Sequence, residues 1–144
     1  MSEKINRVRS SKDYISVFKL DEMIKNERLI FDQPITNLKD KLYKSEVIQS
    51  ILMRIPLPII YTFEDNKGAK IITKGRKLIA SVHQFLNNEF ALSATNFLPG
   101  FEGKKFSDIK PIFRSAIEDY QFLIITIQPP TLEVVKDALI KKWE

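Results

Sequence analysis

An α+β domain with a small mixed sheet and about five helices is what this sequence predicts, on three observations. Apolar residues recur at helical spacing in several separate stretches, and β-branched runs flank an Asp65-Asn66-Lys67-Gly68 hairpin turn. Helical and strand-like segments also alternate without the strict rhythm of a parallel βαβ sheet. With 144 residues, 44% of them hydrophobic and 28% charged, the chain is long enough for one core and short for two. Residues 1–13 read as a polar N-terminal extension and 14–144 as a single domain.

Tyr14 to Val17 reads as a short strand, and a helix follows from Leu20 to Asn26 with Phe18, Leu20, Met23 and Ile24 at helical spacing. Arg28 to Phe31 is β-like, and Asp32 to Asp40 is loop, because a residue before proline avoids the α region. Lys41 to Arg54 is a helix whose apolar stripe is Leu42, Val47, Ile48, Ile51 and Leu52, stopped by Pro56 and Pro58. Leu57 to Phe63 and Ala69 to Thr73 form the hairpin. The next helix, Arg76 to Asn88, turns Leu78, Ile79, Val82, Phe85 and Leu86 inward. Phe106-Ser107-Asp108 opens a helix to Asp119 with Ser107 as its cap, Gln121 to Ile127 is a core strand, and the final helix starts near Pro130 or Thr131.

Composition excludes several classes of chemistry. With no cysteine there are no disulfides and no thiolate metal sites, and a single histidine, His83, argues against a histidine-based metal centre. No apolar run approaches the ~18 residues of a membrane span, and Met1 to Arg9 is too polar for a signal peptide. These features lead to the expectation of a cytoplasmic protein with no cofactor and no membrane contact.

The net charge of +5 is local. Lys67, Lys70, Lys74, Arg76 and Lys77 fall between Asn66 and Asn88 without a single acid, while cations and acids elsewhere balance. Such a patch suits phosphate or an acidic surface, although a basic hairpin also serves simply as a solvated turn. Within it, Ile71-Ile72-Thr73-Lys74-Gly75-Arg76-Lys77-Leu78 runs from strand straight into helix. A turn of that kind exposes unpaired amide N–H groups at the positive end of a helix dipole, and basic side chains reinforce its attraction for an anion.

Around this turn the chain resembles the ParB/sulfiredoxin-like domains with a DGQQR motif, found at the N-terminus of GmrSD-type modification-dependent restriction enzymes and related phage-defence proteins. The resemblance rests on Asp32-Gln33-Pro34, Gln49-Ser50-Ile51-Leu52, Ile55-Pro56-Leu57-Pro58, Ile72 to Leu78 and Phe85-Leu86-Asn87-Asn88-Glu89, and continues through Gly103-Lys104-Lys105-Phe106, Ile117 to Tyr120 and Ile124 to Ile127. It spans about Tyr14 to Leu139 and implies a ParB-like fold with nucleotide hydrolysis or nuclease activity at the motif.

The motif is degenerate. Thr73 stands at the family's aspartate, Lys74 at its glycine, Gly75 and Arg76 at its two glutamines, and Lys77 at its arginine. Upstream, Gln33 is kept but Pro34 replaces arginine. Threonine neither holds a metal nor activates water as a carboxylate does. Glu64 and Asp65, estimated at roughly 20 Å from Thr73 along extended strands, are poor substitutes. Asp32 is the better candidate for a surviving acid, against the simpler reading of a turn carboxylate bonded to its own backbone.

The expected function is therefore a catalytically defective ParB-like domain that binds nucleic-acid phosphate through Thr73, Lys74, Gly75, Arg76 and Lys77, with Lys67, Lys70 and Gln33 contributing. It would work in a bacterial host's cytoplasm, or in a virion if phage-encoded. The alternatives are a structural or protein-interaction subunit, associating through the C-terminal helix and Trp143, and a residual nucleotide-dependent nuclease using Asp32. His83 reads as a partly buried or surface helix residue rather than a general base, since it has no motif partner, and Phe97, Phe101, Phe106, Phe113, Tyr120 and Phe122 as core rather than base-stacking aromatics.

Overall fold

The computed structural model describes residues 7–32, 40–130 and 133–143. In chain order these form β1 (Arg9–Ser16), α1 (Val17–Lys25), β2 (Leu29–Phe31), α2 (Lys41–Leu52), β3 (Ile60–Glu64), β4 (Lys70–Lys74), α3 (Arg76–Leu86), α4 (Pro111–Asp119), β5 (Gln121–Gln128) and α5 (Glu133–Trp143). A turn of 3-10 helix at Phe106–Asp108 precedes α4. The strands make one mixed sheet in the order β1-β5-β3-β4-β2. β1 with β5 and β3 with β4 are antiparallel, whereas β3 with β5 and β2 with β4 are parallel. The α+β class is thus correct.

Ile60, Ile72, Phe122 and Ile124 are essentially fully buried and join Leu20, Ile48, Ile79, Phe85 and Ile117 from the first four helices in a common core. Adjacent strand residues alternate faces, so Phe63 turns away from this core, and the Lys136 ammonium of α5 sits 5.3 Å from the centre of its ring. Buried hydroxyls are matched inside the sheet, where Thr62 Oγ1 donates to Thr126 Oγ1 at 2.9 Å. Lys70 of β4 reaches Asp13 of β1 across two intervening strands, Nζ to Oδ2 being 3.7 Å.

Several element boundaries differ from the sequence reading, each for a local reason. Residues Arg9 to Asp13, expected to be extension, pair with β5 from Gln128 to Ile124. They are polar because β1 is an edge strand and its side chains are mostly exposed. α1 starts at Val17, since the Ser16 hydroxyl caps it by accepting from Lys19 N–H at 3.1 Å. Phe18 and Leu42, expected inward, are 55% and 57% exposed. Ser107 does not cap α4: its N–H donates to Asn88 Oδ1, Ile109 is extended, and α4 begins with Pro111, whose fixed φ suits the first helical position. The described part of the last helix starts at Glu133.

Candidate anion-binding turn

The turn between β4 and α3 owes its shape to two backbone features. The β3–β4 register pairs Tyr61 with Lys74 but Thr62 with Ile72, so Thr73 is the extra residue of a β-bulge. Gly75 follows with φ +99°, in the left-handed region, and forms the N-cap of α3. A Cβ there would overlap Ile60 Cδ1, so the backbone of the turn lies directly on the core. Because glycine has no side chain, no hydroxyl or carboxylate caps α3, and no acid stands in its first turn. Among the described residues, no side chain accepts from its leading N–H groups, which leaves them to another acceptor.

A surface cavity of about 330 Å³ opens at this point, walled by Thr73 to Leu78 on one side and by Tyr43, Pro58 and Ile59 on the other. Tyr43 is half-buried, and burial pushes its phenol above the ordinary tyrosine value, so it stays a neutral hydroxyl. Nothing in the spacing of the sequence marks Tyr43, Pro58 or Ile59 as neighbours of the turn, because they come from α2 and the segment entering β3.

The structure divides the expected site residues into two groups. Lys74, Gly75, Arg76 and Lys77 come together at the turn, whereas Lys70 lies four residues back along β4, about 13 Å at the usual rise, and Lys67 lies beyond it in the hairpin loop. Lys70 is paired with Asp13. Arg76 Nη1 donates to Asp32 Oδ1 at 2.6 Å, with the two side chains 31% and 24% exposed. Asp32 is accordingly a partner of the turn. Lys74 and Lys77 are exposed and have no acid partner among the described residues, Lys74 lying only loosely over the Tyr61 ring at 6.0 Å. Gln33 lies outside the described residues, as does the side chain of Trp143.

Thr73 faces inward. It is 5% exposed, and its hydroxyl donates to the Tyr61 carbonyl at 3.1 Å. Of the other acids considered, Glu64 is opposite Lys70 in the hairpin, three residues from Thr73 along β4 and so about 10 Å away, half the separation estimated from the sequence. Among the described residues no set of three or more His, Asp or Glu side chains gathers as metal ligands.

His83, in contrast, has a partner that sequence inspection missed. Its Nδ1 lies 2.6 Å from Oδ1 of the buried Asp21 on α1, which also accepts from Asn87 Nδ2 at 3.0 Å and pairs through Oδ2 with Lys25 at 2.9 Å. Burial pushes the Asp21 carboxyl up, but the hydrogen bonds from Lys25, His83 and Asn87 outweigh it and hold the group below the ordinary aspartate value. His83 and Asp21 are 62 positions apart, so no local motif could have signalled the pair.

Comparison with protein-family models, with curated proteins and with solved structures finds no match. No described helix is long and apolar enough to cross a membrane.

Proposed function

We propose that the chain is a ParB-like domain without the family's catalytic carboxylate, which binds nucleic-acid phosphate at the turn from Thr73 to Lys77. The observation that carries this reading is the side-chain-free N-cap of α3 at Gly75, flanked by Lys74 and Lys77, which are exposed and have no acid partner among the described residues. Open N–H groups and two ammonium groups at one helix N-terminus favour a phosphate oxygen both by dipole and by charge. Thr73 supports a binding role over a cutting one, because the residue at the family's acid position is neutral, buried and bonded to Tyr61. The nearby carboxylate, Asp32, is engaged by Arg76 and competes with phosphate for it. Lys67, at the far end of the hairpin, is an outlying contact for a longer ligand.

The test is fluorescence anisotropy with labelled DNA at two salt concentrations, comparing wild type with Lys74→Glu/Lys77→Glu. Binding that weakens steeply with salt and is lost in the variant is the expected result. Salt-independent binding, or equal binding by both proteins, removes the reading. A second reading, a protein-assembly subunit associating through α5, draws on Val134, which is 72% exposed at the start of that helix. A mass above that of the 16.8 kDa chain in light scattering, abolished by Val134→Glu and unmoved by the turn variant, would favour it.

A further inference from the structure

Phe97 is an aromatic that the core does not take. It is 81% exposed, whereas Phe101, Phe106, Phe113 and Phe122 pack as edge-on ring pairs inside the molecule. The backbone around it is held from several directions. Leu92 N–H donates to Lys104 O at 2.9 Å and Gly103 N–H to Leu92 O at 2.8 Å, closing the base of the loop. The Glu102 carboxylate accepts from the N–H groups of Ala94 and Thr95 and from the Thr95 hydroxyl, and Leu98 N–H donates to Thr95 O across the tip. Phe97 is thus displayed by a braced loop.

The same loop is flanked by cations. Lys104, Lys105 and Lys110 have no acid partner among the described residues, because the acids of this stretch, Glu102 and Asp108, accept from loop backbone N–H groups instead. Lys104 and Lys110 border a cavity of about 200 Å³ floored by the Phe101–Phe113 pair. α2 contributes to both regions: Tyr43 lines the turn cavity, and the buried Ser45 hydroxyl accepts from Ser93 N–H at 3.0 Å at the start of the loop.

We infer that the loop carrying Phe97 is a base-stacking arm, and that the nucleic acid bound at the turn is single-stranded, with one base on the Phe97 ring and neighbouring phosphates on Lys104, Lys105 and Lys110. The inference rests on the phosphate reading of the turn. A duplex keeps its base faces inside the stack and offers nothing to an exposed ring, whereas a single strand presents both base faces and phosphates, which an aromatic beside cations recognises without regard to sequence.

The experiment measures anisotropy of the full chain with a labelled oligothymidylate and with a duplex, for wild type, Phe97→Ala, Phe97→Trp and Lys74→Glu/Lys77→Glu. The single strand is expected to bind more tightly than the duplex. Phe97→Ala should lose roughly tenfold on the single strand and nothing on the duplex, and Phe97→Trp should keep its affinity. Because Phe97 is almost wholly in water, neither substitution should disturb folding. Unchanged single-strand affinity in Phe97→Ala, with binding lost in the turn variant, overturns the arm while leaving the turn in place. No binding to either DNA by the wild type overturns the turn and the arm together.

Discussion

The two ends of α3 handle charge in opposite ways. At the C-terminal end, His83 and Asn87 converge on the buried Asp21, and Lys25 takes its second oxygen. At the N-terminal end, Gly75 leaves the helix without a side-chain cap among the described residues, and of its three cations only Arg76 has an acid partner there, Asp32. The first arrangement joins α1 to α3 and is complete within the chain. The second leaves Lys74, Lys77 and the first N–H groups of the helix without an acceptor side chain among the described residues. Charge that is buried and satisfied belongs to the fold, and charge left exposed beside open N–H groups is available to a ligand.

Substitutions at the two ends should separate these roles. The largest effect is expected from Gly75→Ala, which combines a left-handed backbone position with overlap on Ile60 and should cost about 3 kcal/mol in denaturant unfolding. A fully stable Gly75→Ala protein would mean that the turn does not lie against the core. Next comes Asp21→Ala, which removes the shared acceptor of three side chains and should cost about 2 kcal/mol. Since Asp21 titrates below the ordinary aspartate value when folded, its contribution is present above that value and disappears as the pH falls through the folded-state pKa. Asp21→Asn should therefore flatten the loss of stability seen below about pH 4, and an unaltered acid limb would count against this role. The smallest change in stability, under about 1 kcal/mol, is expected from Asp32→Ala, because its ion pair is partly exposed. That variant should nevertheless bind DNA more tightly than wild type, since Arg76 is released to meet phosphate. Weaker binding would show that Asp32 helps to build the site instead of competing with its ligand.

Periodicity in the sequence was enough to locate α2, the β3–β4 hairpin and α3, whose buried faces carry Val47, Ile48, Ile51, Ile72, Ile79 and Phe85. It failed at β1, where Arg9 to Asp13 form an edge strand with no buried face to impose alternation. It also failed before α4, where the serine cap signal at Ser107 was overridden by the extended Ile109 and by Pro111. The turn from Thr73 to Lys77 was legible because strand, glycine and cations are contiguous. Its partners were not, since Asp32 lies 44 positions from Arg76 and Tyr43 arrives from another helix. The bulge at Thr73 and the exposure of Phe97 depend on strand register and on loop bracing, neither of which composition encodes.

The most direct test of the contrast between the two ends of α3 is a backbone amide NMR titration of the full chain with a short oligothymidylate. The amide signals of Arg76, Lys77 and Leu78 should move progressively, while those of His83 and Asn87 at the closed end stay in place. Saturable shifts confined to other surfaces, with the amides of residues 76–78 unmoved, would contradict the assignment of this turn as the anion site.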